Sequence, residues 1–291
     1  LERLGLAADD PLAQRLAAAQ SDAPPDWIHL AAAGARSLAP VALAPAAAAM
    51  PWPGWGGERT PLGIGVAGGQ GSGKSTFARQ LVAALSAAGA RAVTCSLDDF
   101  YLSRTRRREL AATVHPLLAT RGVPGTHDVA ALAGVIEDLG REGTVLLPGF
   151  DKGTDDPLPR ERWRTVRAPV DVLVLEGWCV GARPQDDAAL AESVNELERA
   201  EDRHGRWRRF VNEALAGAYA ALWSRLDGLL FIEVPDLDAV RRWRGQQEQA
   251  LPAGRRMDAA AIERFVAHYE RLTRAMGADL PSRASLHGRL D

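Results

Sequence analysis

Gly68, Gly73, Lys74 and Ser75 stand at the spacing G-x-x-x-x-G-K-[ST] within "GVAGGQGSGKSTFA", residues 65–78. A short apolar run precedes this stretch and a helix-like run follows it, the setting that separates a phosphate-binding loop from a chance match. Glycines allow positive φ and close approach of the backbone. Successive N–H groups can then converge on phosphate oxygens at a helix N-terminus, where the peptide dipoles favour an anion. Gly68, Gly69, Gln70, Gly71, Ser72, Gly73, Lys74, Ser75 and Thr76 are thus the expected cradle for a nucleoside triphosphate. Lys74 is expected to reach β- and γ-oxygens and Ser75 to ligate Mg²⁺.

Such a loop serves switches, motors and kinases alike. The guanine-reading string N-K-x-D and the L-S-G-G-Q signature of transporter ATPases are missing from the sequence, which favours a small-molecule kinase using ATP. Two acidic stretches fit that chemistry. "SLDDFYL" puts Asp98 and Asp99 at the end of the second strand-like run, the edge of an open α/β sheet where ligands bind. Phosphorylating an alcohol needs a carboxylate that accepts the hydroxyl proton and aims the oxygen at the γ-phosphorus, and Asp98 is the choice. "VDVLVLEGW" reads as a buried strand delivering Glu176 to the same edge, where it would hold magnesium-bound water.

These side chains need a scaffold. "LGIGVA", "RAVTCSL", "TVLLP", "VDVLVLEG" and "GLLFIEV" read as strands and alternate with helical patterns. The helices are expected over "KSTFARQLVAALSAAG", from Val129 to Leu139 behind Asp128 as N-cap, over a long charged region from Asp186 to Arg225, from about Pro235, and from Asp258 to Met276. That order predicts an α/β fold, a doubly wound parallel sheet with helices on both faces. Residues 1–58 read as an alanine-rich helical extension ending in "PWPGWGG", and 59–291 as the main domain.

Hydrophobic residues make up 46% and charged residues 25% of 291, which excludes a disordered or fibrous chain. The formal net charge of -2 gives no overall field to recruit nucleic acid or an anionic membrane, so any anion site must be local. "LAPVALAPAAAAMPWPGW" is broken by proline and too short to span a bilayer, and no secretory signal is visible. Cys95 and Cys179 lack metal-ligand spacing, and a reducing cytoplasmic compartment fits them.

"GGQGSGKST", "SLDDFYL", "RGVPGTHD", "PGFDKGTDDPLPRERW", "VLVLEGW" and "WRGQQE" occur in that order. Together they resemble the P-loop kinase family that includes phosphoribulokinase, uridine kinase and pantothenate kinase, and most closely its D-glycerate 3-kinase branch. The likeness runs from about Leu62 to Tyr269. It implies a P-loop NTPase fold of the nucleoside-monophosphate-kinase type. It also implies that Asp98 is the catalytic aspartate, that Tyr101 of the same motif contacts substrate, and that Arg121, His127 and Asp128 line the acceptor side. Lys152 of "FDKGTDD" would reach toward the acceptor, where a cation suits a carboxylated substrate such as glycerate. "RRWRGQQE" resembles the family's lid, near 241–257, with Arg241 or Arg244 closing over the triphosphate. The four arginines of "SRTRRRE" read either as an anion site or as a solvated cluster. The tail "PSRASLHGRLD" falls outside the likeness. The expected activity is phosphoryl transfer from ATP to an alcohol, with D-glycerate the leading acceptor. A nucleoside, pantothenate or a sugar phosphate is the alternative, and an ATP-binding regulatory or assembly protein is the rival of another class.

Overall fold

The computed structural model describes residues 61–249 and 256–290. The extension expected over 1–58 and the 250–255 part of the expected lid lie outside the described residues. β1 (Leu62–Gly68) ends in the glycine loop and α1 (Lys74–Ala87) starts directly behind it. Phe77, Ala78, Leu81, Ala84 and Leu85 recur at helical spacing and form the buried face of α1. β2 (Ala92–Ser96) passes into a 3-10 turn, Leu97–Phe100, that carries both aspartates. α2 (Arg104–Thr113) is capped by Ser103, whose side chain accepts the Arg106 N–H. α3 (Val129–Asp138) is capped by Asp128, which accepts the N–H of Ala131.

The predicted strand "TVLLP" forms as β3 (Gly143–Leu147), but not in the central sheet. After the short β4 (Phe150–Asp151) and β5 (Asp156–Pro157), the chain returns as β6 (Arg164–Ala168) and pairs with β3 antiparallel, as a separate ribbon. Gly143 and Thr144 are exposed, so β3 has no second buried face and suits an edge ribbon rather than the sheet interior. β7 (Val172–Gly177) is buried along its whole length.

The region expected to be helical and charged, Asp186 to Arg225, consists of α4 (Asp187–Ala191), α5 (Glu196–Glu201), α6 (Arg206–Ala214), a π-turn over Leu215–Tyr219, and α7 (Ala220–Trp223). Gly205, at φ 68°, starts α6, and buried Asp202 accepts the N–H groups of Trp207 and Arg208. β8 (Gly228–Glu233) leads into α8 (Leu237–Gln249). α9 (Ala259–Arg283) continues past the expected end at Met276 and through Pro281. The tail then contributes an unforeseen strand, β9 (Leu286–Arg289).

Five strands make the central sheet in the order β2-β7-β1-β8-β9, every neighbouring pair parallel. In register, Glu176 lies opposite both Val66 and Ser96, so the carboxyl ends of β1, β2 and β7 finish together at one edge. Alternate residues feed different layers. Val172 and Val174 pack with Phe77 and Leu81 of α1, and Leu173 and Leu175 pack in the larger cluster with Leu97, Trp178, Tyr269 and Met276. Among the described residues no helix is long and apolar enough to cross a membrane.

Because Leu175 is fully buried in the interior strand that carries Glu176, Leu175→Ala is expected to lower unfolding free energy by about 2–5 kcal/mol in urea denaturation. A loss within error would mean that the larger cluster does not hold the edge.

Candidate active site

The glycine loop takes the shape its sequence demands. Gly71 and Gly73 have φ of 79° and 75°, and a Cβ on Gly71 would fall 2.8 Å from Cβ of Trp243. Ser72 N–H closes the turn onto the carbonyl of Gly69 at 3.2 Å. Ser72 Oγ and Gln70 Nε2 are buried without a hydrogen-bond partner, polar atoms left available at the loop. Ser75 Oγ donates to Glu176 Oε1 at 3.0 Å, which joins the start of α1 to the end of β7.

A cleft of about 310 Å³ opens over this loop. Gln70, Gly71, Gly73, Lys74, Ser75 and Thr76 line it from the cradle, Asp98, Tyr101, Arg121 and Lys152 from the other segments, and Arg244 from α8. Asp98 accepts a hydrogen bond from Tyr101 Oη at 2.9 Å and from Lys152 Nζ at 2.6 Å. Burial works to raise its pKa, but the charges of Lys152 and Lys74 outweigh that and hold it at about 2. Asp99 turns the other way. Burial pushes it up to about 6 against the hydrogen bond it accepts from Phe150 N–H at 3.3 Å, with the negative charges of Asp98 and Glu176 adding to the rise.

Arg121 stands over the Phe150 ring and pairs with Asp155. Its position rests on residues that sequence reasoning passed over. Gly122, at φ 134°, donates its N–H to Thr126, its carbonyl accepts the Trp178 indole N–H at 2.8 Å, and Tyr269 Oη donates to the Arg121 carbonyl at 3.1 Å. Tyr269, Trp178, Phe265 and Gln247 also line the cleft. An aromatic residue beside a strand-ending glycine was the available signal for Trp178, whereas Tyr269 comes from α9, far along the chain.

His127 and Asp128 are not among the cleft-lining residues. His127 is buried behind Tyr101, stacked on its ring at 4.5 Å, with Nδ1 2.6 Å from Tyr219 Oη. Asp128 caps α3. The "SRTRRRE" cluster is neither wholly solvated nor an open anion site, since Arg107 is fully buried and bonds to the carbonyls of Leu102, Ala119 and Asp155. Of the two arginines expected in a lid, Arg241 is held outside this cleft by Glu263 and Asp238. Arg244 faces the cleft, lies over the Phe265 ring at 4.7 Å and is paired with Glu248.

A parallel sheet with a phosphate loop at its carboxyl edge defines a P-loop nucleotide-binding fold, and comparison with known proteins makes it a kinase. Residues 63–182 match the model of the phosphoribulokinase/uridine kinase family. The chain is 34% identical over 229 residues to the uncharacterized kinase mug58 of Schizosaccharomyces pombe, covering 73% of this chain and 79% of that protein. It is 29% identical over 228 residues to the chloroplastic D-glycerate 3-kinase of Arabidopsis thaliana, covering 74% of this chain and 47% of that protein, so it spans about half of that relative's length. The solved D-glycerate 3-kinase of Cryptococcus neoformans superposes with a TM-score of 0.70 at 27% identity, over 89% of this chain and 92% of that one. The chain belongs to the phosphoribulokinase/uridine kinase family.

Burial lowers the His127 pKa to about 4, against an attraction to Asp98 that favours the charged ring. The unfolded chain therefore takes up a proton near pH 6.5 before the folded one does, and stability is lost as pH falls from about 6.5 toward 4. Between pH 7.5 and pH 5 this amounts to about 2 kcal/mol. Urea titrations of the wild type and His127→Asn are expected to show a smaller pH-dependent loss in the variant. Equal losses would place the titration elsewhere.

Proposed function

We propose that this chain transfers the γ-phosphoryl group of ATP to an alcohol oxygen of a small carboxylated metabolite, with D-glycerate as acceptor. One observation carries the reading. Of 35 basic residues only positions 74 and 152 are lysine, and both line the same cleft, on which Asp98 also opens. Elsewhere the chain uses arginine, whereas a compact ammonium suits a point contact with a phosphate or carboxylate oxygen. Lys74 and Arg244 serve the phosphates, and Arg121 and Lys152 remain for an anionic acceptor, which a neutral nucleoside would not require. The D-glycerate 3-kinases among the relatives support the same choice.

The cradle fits a triphosphate on its own evidence. A Cβ at Gly68 would lie 2.6 Å from Ser72 Oγ, so the loop is closed to any side chain there, and its buried polar atoms lack partners. The oxygens of Ser75 and Glu176, 3.0 Å apart, are the kind of hard donors that suit Mg²⁺. When bound, magnesium would neutralise charge on the β- and γ-phosphates. Backbone N–H groups of residues 70–76 would orient the triphosphate, and Lys74 and Arg244 would offset the charge on its transferring end. Asp98, ionised at neutral pH, would hold the acceptor hydroxyl by a hydrogen bond and take its proton as the acceptor oxygen bonds to the γ-phosphorus and the bond from that phosphorus to the β-phosphate oxygen breaks, releasing ADP. Tyr101 and Lys152 fix the carboxylate meanwhile, so most of the catalysis is positioning.

A panel of D-glycerate, uridine, pantothenate and a pentose phosphate, read by ADP release from purified protein, tests the acceptor. Turnover on D-glycerate alone is expected, and turnover on uridine with none on D-glycerate would overturn it. Asp98→Asn is expected to keep the KM for ATP and to lower kcat by about 10²- to 10⁴-fold, and Lys74→Ala to remove nearly all transfer. An unchanged kcat in the first would reassign the proton acceptor, and retained activity in the second would mean that the cradle does not hold the triphosphate.

A further inference from the structure

The hairpin that delivers Lys152 is weakly held by its own backbone. β4 and β5 pair only through Phe150 opposite Pro157 and Asp151 opposite Asp156, too short a ladder to fix a loop. Asp155, inside that loop, has φ of 61° and is the one non-glycine residue with positive φ among those described. Its N–H reaches the Asp151 carbonyl at 2.8 Å.

A polar knot holds the turn instead. Arg107 is 1% exposed, and each of its guanidinium nitrogens is engaged. Nε donates to the Leu102 carbonyl at 3.0 Å, Nη1 to the Ala119 carbonyl at 3.0 Å, and Nη2 to the Asp155 carbonyl at 2.9 Å and carboxylate at 2.7 Å. Asp155 is the acidic group paired with it. The same carboxylate binds Arg121, two residues beyond Ala119, and Arg104 Nε lies 3.7 Å away. Arg104 also donates its backbone N–H to Asp156 at 2.8 Å. Burial would raise the Asp155 pKa, yet hydrogen bonds and charge from Arg107 and Arg121 hold it below the ordinary carboxylate range.

We infer that Asp155 is a positioning residue for acceptor binding, because its link to buried Arg107 fixes both the loop that carries Lys152 and the guanidinium of Arg121. The inference rests on the reading of Arg121 and Lys152 as the acceptor-side cations. Asp155 itself does not line the cleft. It acts through the two residues that do. Loss of its charge leaves a guanidinium buried without a counter-ion, so the knot opens rather than merely weakening.

Asp155→Asn tests this cleanly, since asparagine also tolerates positive φ and only the charge is lost. The full chain is assayed with ATP and D-glycerate. The variant is expected to raise the KM for D-glycerate about tenfold or more, with the KM for ATP within about twofold of wild type. Added to an Arg121→Gln/Lys152→Met background, it is expected to change the remaining D-glycerate KM less than about twofold, since it has nothing left to act through. Arg107→Lys, which keeps the charge but loses the fork, is expected to raise the D-glycerate KM alone, and it serves if Asp155→Asn does not fold. Amine-labelling mass spectrometry reads the same point without turnover, because the sequence holds only two lysines. Lys152 is expected to label faster in Asp155→Asn, and Lys74 at an unchanged rate. An unaltered D-glycerate KM in the Arg121→Gln/Lys152→Met background would sink the acceptor reading itself. A rise there, combined with no effect of Asp155→Asn, an equal rise in the ATP KM, or an undiminished effect in that background, would overturn the role of Asp155 and leave the acceptor reading standing.

Discussion

The hydrogen bond from Ser75 to Glu176 depends on the alignment of two strands distant in sequence, and the chemistry of the site depends on that alignment. β1 ends in the loop that starts α1, and β7 ends in Glu176. Their parallel register sets Val66 opposite Glu176, so the first turn of α1 meets the acid as the sheet finishes. A slip of one residue would turn Glu176 to the other face of the sheet. Complete burial of β7 guards against that slip, because Val172 and Val174 belong to the layer under α1 while Leu173 and Leu175 belong to the layer opposite.

Charge inside the protein is handled mainly by arginine, and three of the buried ones hold irregular segments together. Arg107 gathers the carbonyls of residues 102, 119 and 155, Arg208 those of Leu190 and Asp202, and Arg271 those of Ala189 and Glu192. Each is matched by an acid, Asp155, Asp202 and Glu198 respectively. A planar donor fork that cannot lose its proton can satisfy several carbonyls where no helix or ladder does so. This accounts for the short helices between β7 and β8, in a region whose composition reads only as charged and helical.

The parts of the site that were legible in the sequence are those whose chemistry is local. The glycine loop, the paired aspartates and the acid after a continuous apolar run carry their meaning within about ten residues, and the structure brings Gly71, Lys74, Ser75, Asp98 and Arg244 to one cleft. What was not legible depends on partners far along the chain. "TVLLP" has strand composition, but its place outside the sheet is fixed by pairing with residues 164–168. His127 was expected to line the acceptor side, yet it is buried against Tyr219, whereas the helix cap at Asp128 next to it was legible. The tail "PSRASLHGRLD" fell outside the likeness, and β9 is a strand because β8 offers it an edge beside Leu230 and Phe231. Arg107 resembles its exposed neighbours in "SRTRRRE" until the fold closes over it.

Gly122 and Tyr269 are separated by most of the fold, yet a Cβ on the former would lie 2.1 Å from the hydroxyl of the latter. The tyrosine fills the space that the missing side chain leaves, and it anchors the adjoining Arg121 carbonyl in doing so. Neither position can drift alone. A bulkier residue at 122 demands a truncated one at 269, and the truncated one gives up the anchor. Across divergent sequences that keep this architecture, the two sites should therefore be inherited as a unit, one coupled character rather than two independent ones.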